Sequence, residues 1–505
     1  MRASCERPRG ISGPSRQLPA PAASLPCLCR MQLLLIIAYF AGWALIPHLL
    51  LLKKRPTATL AWLWAIIFIP YLGSFAYLLF GTDRLKRRRL KRRNLFSART
   101  TRRPFPAAAH DQATGQLLAE LPRRDRQFLR LLSRINQIPA SSGSELRILR
   151  DADQFYPALA ERIRTARDHI HIEFYIWQPD EVGREFLALL TAAARRGVKV
   201  RLLLDGVGSH DLDEDLVAEL RAAGGQFSWF QSLDPRRNRF FLNLRNHRKL
   251  QIVDGCTAFV GGMNIGGEYR GLDPALGHWR DIQVEVSGAV VCELQAVFAD
   301  DWFFATDEQI AEEKFYPTAG QGGPHPVHVV LGGPDRRNEP IAKSIVSLIN
   351  EASERVWIAT GYFVPDDIVL AALELAANRG VDVRLLISER NDHPWLVSVG
   401  RSYYHQLLAA GVRIFEYSAG INHAKMAIAD RQWSMVGSAN LDYRSLRLNF
   451  ELNLLFHSAK ENAALAAILE QDFALSAEIE SGPFGRRPFR QKFLEAALRP
   501  LSPLL

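Results

Sequence analysis

Cysteine is scarce in this chain of 505 residues, which contains five. Cys5, Cys27 and Cys29 lie within the first 30 residues, so that only Cys256 and Cys292 belong to the remaining chain. Too few cysteines remain for a disulfide framework, and their spacing is not that of a structural metal site. The sequence therefore suits a reducing compartment such as the cytoplasm.

Acidic residues, lysine and arginine are missing from two apolar runs, residues 33–52 and 59–80. Each run has about 20 residues, the length that a helix needs to cross a bilayer. We predict two transmembrane helices there. Buried core helices are less consistent with the pattern, because all-apolar runs of this length with cationic ends are uncommon in soluble cores. A cleaved signal peptide is also less consistent, because the first run is too long, no A-x-A-like site follows it and a second run comes after it.

Positive charge is concentrated at one end of the chain, although the formal net charge is +10. Residues 1–103 hold 19 Lys and Arg against two acids, whereas the remaining 402 residues hold 44 bases and 51 acids. The eight bases within residues 84–93 predict that the main body stays on the cytoplasmic side, and they either contact anionic lipids or act as a topology signal. A body with excess acid disfavours nucleic acid as a partner.

Composition divides the chain further. The first 30 residues are rich in Pro, Ser and Arg, which predicts disorder, and Met31 is a candidate translation start. We predict a disordered extension (1–30), a two-helix membrane anchor (31–82), a basic segment with a linker (83–145), a first lobe (146–317), an inter-lobe linker (318–340), a second lobe (341–482) and a basic amphipathic C-terminal segment (483–505).

The body alternates short apolar strands with amphipathic helices, and it does so twice. A strand at 169–177, a helix at 184–197 and a strand at 198–206 are predicted in the first half. The same order returns at 355–363, 368–380 and 381–388, with "RGVKVRLLL" matched by "RGVDVRLLI". The sequence therefore predicts an α/β fold made by internal duplication.

A second repeat carries polar residues: "NHRKLQIVD" begins at residue 246 and "NHAKMAIAD" at residue 422. Alternation along a strand would place His247 with Lys249, and His423 with Lys425, on one face. The dipeptide Asp254-Gly255 predicts a hairpin turn. From the residues alone, Asp254 and Asp430 have a structural role at a turn.

Each copy continues with small residues, an asparagine and a carboxylate. "GGMN" ends at Asn264 and "GSAN" at Asn440, and small residues allow a ligand to approach the backbone closely. The carboxylates are Asp281 in "WRD" and Glu451 in "NFE". Lysine is a poor metal ligand at neutral pH, so we expect no metal at such a site.

These paired residues suit a phosphodiester. Lys and Asn donors can stabilise the charge of a phosphoryl group. One His can attack phosphorus while the other protonates the leaving alkoxide, and a carboxylate can orient each ring. A single His-x-Lys is common in ordinary strands, whereas two copies with matching Asp, Gly and Asn offsets favour a catalytic site.

At these residues the chain resembles the phospholipase D superfamily, whose motif His-x-Lys-x4-Asp occurs here as His247/Lys249/Asp254 and His423/Lys425/Asp430. It is more narrowly similar, over residues 32–505, to bacterial cardiolipin synthases, through phrases such as "NLRNHRKLQIVDG" and "VGSANLDYRSLRLNFELN". The resemblance implies two α/β/α sandwich lobes with the site between them.

The resemblance also implies the reaction and the residues. A phosphatidyl group would pass from one phosphatidylglycerol to another, giving cardiolipin and glycerol without a cofactor, at the inner membrane. The six motif residues would be catalytic, Asn264 and Asn440 would bind the substrate phosphate, and Asp281 and Glu451 would support the histidines. The wider spacing before Asp281 suggests an insertion at residues 271–277.

Several alternatives remain open. A hydrolase, or a transferase with another alcohol acceptor, would share every catalytic residue; a nuclease is disfavoured by the acidic body, and a non-catalytic binding protein by the two complete motifs. The copies are nearly equivalent, and we favour His247 as the nucleophile. The oligomeric state is not indicated. The segment 484–505 mixes bases with Phe and Leu, which fits either an interfacial helix or a packing helix.

Overall fold

A computed structural model of the chain describes residues 39–52, 56–78, 115–116, 119–231, 245–274, 276–317, 323–336, 338–391 and 393–504. The chain forms two compact units, residues 1–87 and residues 88–505. The predicted disordered extension and the basic run at 84–93 lie outside the described residues.

The first unit contains the helices α1 (Leu45–Leu51), α2 (Pro56–Phe68) and α3 (Pro70–Ala76). The sequence predicts one continuous helix for the second apolar run, whereas the structure contains two helices separated by a break at Ile69. The reason is Pro70, which lacks an N–H group and whose ring clashes with the carbonyl of the preceding turn. Of the helices described, none combines the length and the apolar character required to span a membrane.

The second unit contains two lobes. The first-lobe strands are β1 (Ser141–Arg150), β2 (His169–Phe174), β3 (Lys199–Leu204), β4 (Gln226–Trp229), β5 (Leu250–Val253), β6 (Thr257–Gly261), β7 (His278–Arg280) and β8 (Ile282–Gly288). Helix α4 (Arg123–Asn136) precedes the first lobe. The first-lobe helices are α5 (Asp151–Thr165), α6 (Glu181–Arg195), α7 (Ala218–Ala222) and α8 (Val290–Thr306), with 3₁₀ turns at Glu214–Val217, Gly267–Arg270 and Glu313–Phe315.

The second-lobe strands are β9 (His325–Gly332), β10 (Arg355–Thr360), β11 (Phe363–Val364), β12 (Asp382–Ser388), β13 (Arg413–Tyr417), β14 (Gly420–Asn422), β15 (Met426–Ala429), β16 (Trp433–Gly437), β17 (Leu441–Asp442), β18 (Glu451–His457) and β19 (Ser476–Glu478). The helices are α9 (Pro340–Glu351), α10 (Asp367–Asn378), α11 (Pro394–Ala409), α12 (Tyr443–Arg447), α13 (Ala459–Ala474), α14 (Ser481–Gly485) and α15 (Phe489–Leu498), with a 3₁₀ turn at Arg499–Leu504.

Among the described residues, fifteen strands form one sheet in the order β19-β13-β12-β10-β15-β16-β18-β9-β1-β8-β6-β5-β2-β3-β4. Reading outward from β1 gives β8, β6, β5, β2, β3 and β4, and reading outward from β9 gives the corresponding strands of the second lobe. The duplication predicted from the sequence is thus confirmed. The antiparallel pair β1–β9, with Ser141 opposite Val327, joins the two halves.

The repeated strand–helix–strand units form for the same local reasons in both lobes. Asp180 accepts a hydrogen bond from the Gly183 N–H at the start of α6, and Asp366 accepts one from the Val369 N–H at the start of α10. Such N-caps satisfy N–H groups that have no partner within the helix. In each lobe the helix then returns the chain to a parallel strand, β3 beside β2 and β12 beside β10.

Two predicted linkers contain structural elements of the body. Strand β9 lies within residues 318–340 and is buried along nearly all its length. Its apolar run "VHVVLG" is flanked by Gly and Pro, which favoured a linker in the sequence. Similarly, β1 begins before residue 146, and α4 packs on the second lobe, where the Phe128 and Trp433 rings meet with centroids 4.7 Å apart.

Candidate active site

The two His-x-Lys segments lie in extended chain immediately before β5 and β15, rather than within those strands. In this position His247 has left the sheet of its own lobe: its N–H donates to the carbonyl of Phe450 in the second lobe over 2.9 Å. The His423 N–H donates to the carbonyl of Arg280 in the first lobe over 2.8 Å. Both histidines therefore sit where the lobes meet.

The carboxylates are exchanged between the lobes. The Nδ1 atom of His247 lies 3.0 Å from each carboxylate oxygen of Glu451, and the Nδ1 atom of His423 lies 2.7 Å from Oδ2 of Asp281. Glu451 and Asp281 are fully buried. Each carboxylate holds the Nδ1 proton of its histidine, so that Nε2 is the ring nitrogen left for chemistry.

The crossing follows from the backbone between the lobes. Strand β7 pairs in parallel with β14, and the register sets Asn422 opposite Arg280, so that the next residues, His423 and Asp281, are neighbours. On the other side, an isolated parallel bridge joins Asn246 and Phe450. The segment 271–277, seen in the sequence as an insertion, leads directly into β7.

The two lysines are buried beside the histidines. The Lys249 ammonium donates to the backbone carbonyl of His247 over 2.8 Å, and the Lys425 ammonium donates to that of His423. Burial lowers the pKa of Lys249 to about 7, an effect that Glu451 opposes and Lys425 reinforces. A bound phosphate would favour the charged form of Lys249.

The electrostatics of the two His–carboxylate pairs differ. Burial lowers the pKa of His247, although the Glu451 carboxylate opposes the shift. Burial raises the pKa of Asp281 to about 7, although Lys425 opposes this. A neutral His247 suits attack through Nε2, whereas the raised pKa of Asp281 lets that carboxyl group hold a proton beside His423 near neutral pH.

The small residues differ between the copies. A Cβ atom on Gly262 would lie 2.3 Å from Oδ1 of Asp281, so that only glycine fits there. Ser438 occupies the equivalent position in the second lobe, and its hydroxyl donates to Oε2 of Glu451 over 2.5 Å. Glu451 is thus held by a hydroxyl donor that has no counterpart at Gly262.

The predicted phosphate-binding asparagines are both buried. Asn264 accepts a hydrogen bond from the Ile176 N–H over 3.1 Å and donates to the Tyr269 hydroxyl over 2.6 Å. Asn440 lies near His423, since both border Gly361, and its Oδ1 atom has no hydrogen-bond partner among the described residues. An unused polar atom of the Asn440 amide therefore faces the site.

Asp254 and Asp430, the third members of the motifs, are not brought to the histidines. Each occupies the turn at the far end of the strand, with φ of 52° and 50°. Asp254 accepts backbone N–H groups of residues 167–169, and Asp430 accepts those of residues 353–355. They fasten each hairpin to the start of a neighbouring strand. These contacts agree with the turn role predicted for Asp254 and Asp430 from the residues. They do not support direct participation of the two carboxylates in catalysis.

Sequence reasoning missed the aromatic walls of the site. The Tyr175 ring packs edge-on to His247 with centroids 4.9 Å apart, and the Tyr362 ring packs edge-on to His423 at 6.1 Å. Trp279 also contacts His423, at 5.2 Å. Tyr175 directly follows β2, whereas Tyr362 lies two residues after β10, so the tyrosines do not occupy equivalent positions and the repeat does not single them out.

The asparagines that open both motifs were also missed. Asn246 N–H donates to Asp205 over 2.8 Å, and Asn422 N–H donates to the Ser388 hydroxyl over 2.9 Å. These contacts fix the chain just before each histidine. Among the described residues, no group of three or more His, Cys, Asp and Glu side chains is placed to hold a metal ion.

The family model "Cardiolipin synthase, PLD-like domain" matches residues 159–302 and 345–473, one match in each lobe and more than half of the chain together. The chain belongs to the cardiolipin synthase family. A second model, phospholipase D-nuclease N-terminal, matches residues 38–81. The crossed site described above is thus the one formed by the two phospholipase D-like domains of this family member.

Individual relatives agree with this assignment. Cardiolipin synthase of Geobacillus thermodenitrificans (strain NG80-2) is 38% identical over 465 residues, which cover 90% of each chain. Cardiolipin synthase A of Pseudomonas fluorescens (strain SBW25) is 36% identical over 475 residues, covering 92% of this chain and 97% of that protein.

A solved structure shares the fold. The crystal structure of phosphatidylserine synthase from Haemophilus influenzae Rd KW20 has a TM-score of 0.58 and 16% sequence identity, and covers 75% of this chain and all of that one. At this identity the likeness is one of fold. It confirms the α/β fold, and the family match assigns the two phospholipase D-like domains.

Proposed function

We propose that this family member is a phosphatidyltransferase that converts two phosphatidylglycerol molecules into cardiolipin and glycerol. The observation that carries the proposal is the crossed pairing of His247 with Glu451 and of His423 with Asp281. It supplies two oriented histidines at one interface, as a double displacement at phosphorus requires. The names of the relatives support cardiolipin as the product, and the resemblance described above implies phosphatidylglycerol as the substrate.

In the first step, Nε2 of His247 attacks the phosphorus of phosphatidylglycerol. A nitrogen–phosphorus bond forms, the bond from phosphorus to the glycerol oxygen breaks, and His423 gives its proton to that oxygen. The lowered pKa of His247 supports its role as nucleophile, and the contact of His423 with Asp281, whose pKa is raised, supports the role of His423 as acid.

In the second step, a hydroxyl group of another phosphatidylglycerol attacks the phosphatidyl group on His247. His423 takes the hydroxyl proton, the nitrogen–phosphorus bond breaks, and cardiolipin leaves. Lys249 and Lys425, with the amides of Asn264 and Asn440, are proposed to bind the phosphoryl oxygens, whose charge grows in both transition states. Asp254 and Asp430 hold the hairpins.

The rival reactions differ in the acceptor. Water would make the protein a phospholipase D-type hydrolase, and another alcohol would give a different phosphatidyl lipid, with the same residues in the same roles. The excess of acid over base after residue 103 supports a lipid over a nucleic acid as substrate.

We also propose that residues 33–52 and 59–80 anchor the chain in the cytoplasmic membrane of a bacterium, with the body on the cytoplasmic side. Support comes from their apolar composition and the basic run that follows them. The family match at residues 38–81 supports membrane association of this segment.

The proposed first lobe begins with β1 and the proposed second lobe begins with β9, and the other limits are those predicted from the sequence.

The test is to incubate the solubilised full chain with labelled phosphatidylglycerol in EDTA, and to separate the lipid products. We expect cardiolipin and glycerol from wild type, and neither from His247→Ala or His423→Ala. Phosphatidic acid as the only product would show a hydrolase instead. No turnover with any alcohol acceptor would contradict the proposal.

A further inference from the structure

The last helix of the second lobe, α15, exposes large apolar side chains. Phe489 is 75% exposed, Phe493 62% and Leu494 53%. The two phenylalanine rings stack on each other with centroids 6.0 Å apart. Single exposed apolar residues are common on soluble surfaces, whereas a cluster of aromatic and aliphatic side chains marks an interaction site.

The charges of α15 are arranged around this cluster. Helical spacing places Phe489 and Phe493 on one face, with Arg490 on one flank and Lys492 on the other. Both bases are exposed. The opposite face carries Glu495, which is buried. An apolar stripe with cations on both edges is the pattern of a helix that lies at a membrane surface.

Helix α15 packs beside α11, and contacts at its two ends hold it in place. Glu495 forms two hydrogen bonds with the guanidinium of Arg487, at 2.6 and 3.0 Å. Beyond the helix, the Arg499 guanidinium lies 4.3 Å from the Tyr403 ring of α11, and the Tyr403 hydroxyl lies 2.9 Å from that of Ser502. The apolar face is therefore held outward, since the opposite face is already occupied.

The same helix α11 begins near the active site. The Tyr362 ring contacts His423 at 6.1 Å, the His393 ring stacks on Tyr362 at 6.2 Å, and the Trp395 ring follows at 6.1 Å. Trp395, in the first turn of α11, is 41% exposed. A row of aromatic rings thus connects the catalytic histidine to the surface of the helix on which α15 packs.

We propose that the face of α15 formed by Phe489 and Phe493 docks on an anionic phospholipid surface and holds the second lobe against the bilayer that supplies the substrate. Arg486, Arg490 and Lys492 contact lipid phosphates while their stems extend along the acyl boundary. The flanking cations fit anionic lipid better than an identical face of a second copy, which would bring like charges together. This docking surface would bring the active site to its lipid substrate, and the identity of that lipid rests on the proposed function.

The experiment uses the full chain reconstituted in vesicles of phosphatidylglycerol and phosphatidylethanolamine, with the photocrosslinker benzoyl-phenylalanine at position 493. The matched control carries it at Leu475, which is 49% exposed but lies near the acids Glu470, Glu478 and Glu480. Mass spectrometry identifies the crosslinked molecule. We expect phospholipid adducts at position 493 at least about tenfold above those at position 475.

A kinetic arm uses the double variant Phe489→Ser/Phe493→Ser. We expect its apparent KM for phosphatidylglycerol in vesicles to rise about tenfold, the effect of losing roughly 1.4 kcal/mol of surface binding, whereas Leu475→Ser is expected to match wild type. High salt should raise the apparent KM of both proteins, because it screens the cations that both retain.

The outcomes separate the two proposals. Equal adducts at both positions, or adducts at position 493 with a second copy or another protein, would overturn docking on lipid. Wild type is also assayed in mixed micelles of detergent and phosphatidylglycerol. Absence of cardiolipin there would reject the proposed function, whereas lipid adducts at position 493 would still support the docking surface.

Discussion

His247 and Glu451 belong to different lobes and lie 204 residues apart in sequence, yet Nδ1 of the histidine lies 3.0 Å from both carboxylate oxygens. The reciprocal pair, His423 and Asp281, crosses the interface in the other direction at 2.7 Å. Neither lobe could form an oriented histidine alone. The duplication is therefore a requirement of the site, because each half positions the reactive ring of the other.

Glu451→Gln and Asp281→Asn test this exchange. An amide still fits each place, but it cannot stabilise the cationic imidazole or select the same tautomer. We expect the rate of cardiolipin formation to fall by about 10²- to 10⁴-fold in either variant. The exposed Glu470→Gln serves as a control and should match wild type. Loss below about tenfold in both variants would show that the carboxylates are not needed to orient the rings.

Gly262→Ala is expected to disturb the site through Asp281. The added Cβ atom would meet Oδ1 of Asp281 at 2.3 Å, so that the carboxylate must move away from His423. A displacement of about 1 Å at a catalytic group can cost about 10²-fold in rate. Gly485→Ala is the matched control, since its Cβ would have no heavy atom within 4 Å. Equal steady-state rates for the two variants would contradict the prediction.

Asp430→Ala is expected to reduce stability rather than chemistry. It removes an acceptor used by three backbone N–H groups and the Ser353 hydroxyl, at a cost of about 1–3 kcal/mol in unfolding free energy. The surface Asp211→Ala should change stability little, because its partner is an exposed histidine. Chemical denaturation measures both. Unchanged stability of Asp430→Ala would contradict the structural role.

The Asp430 carboxylate also predicts that the free energy of unfolding depends on pH. Burial opposes ionisation of Asp430, but the backbone donors outweigh it and lower its pKa below the ordinary value. Its contribution to stability is therefore complete above a pH of about 4, where the unfolded group is ionised, and is lost as the pH falls through the folded pKa. The stability difference between wild type and Asp430→Ala should shrink below a pH of about 4. A difference that stays constant to a pH of about 2 would be contrary to this expectation.

Substrate binding is expected to take up a proton at Lys249. Its pKa of about 7 leaves much of the group neutral at pH 8, and a phosphodiester favours the charged form. Glycerophosphoglycerol, the head group without acyl chains, should bind with proton uptake in titration calorimetry in two buffers of different ionisation enthalpy. Lys249→Met should reduce that uptake, whereas the exposed Lys343→Met should not. Binding heats that do not depend on the buffer would refute the prediction.

Much of this arrangement could be predicted from sequence because it repeats. The strands and helices, the two His-x-Lys pairs and the turn role of Asp254 follow from local patterns. Which carboxylate serves which histidine could not be predicted, since it depends on the register of β7 with β14 and on one bridge between Asn246 and Phe450. Contacts between residues so distant in sequence leave no local periodicity.

Two further differences have local causes that composition concealed. Strand β9 is buried on both faces, so that its sequence lacks the alternation of apolar and polar residues of a half-exposed strand. Its Gly- and Pro-rich surroundings therefore favour a linker when only the sequence is considered. The helix break at Ile69 follows from Pro70, which a search for long apolar runs does not penalise.

The division of labour between the histidines is the central claim, and trapping the covalent enzyme tests it most directly. The substrate is phosphatidyl-p-nitrophenol labelled in the phosphatidyl group, whose leaving group departs without a general acid. His423→Ala should release about one p-nitrophenol per site in a burst and, after alkaline quenching, carry the label on the peptide containing His247. His247→Ala should carry none. Label on His423 in the His247→Ala variant, or a burst from neither variant, would contradict the account.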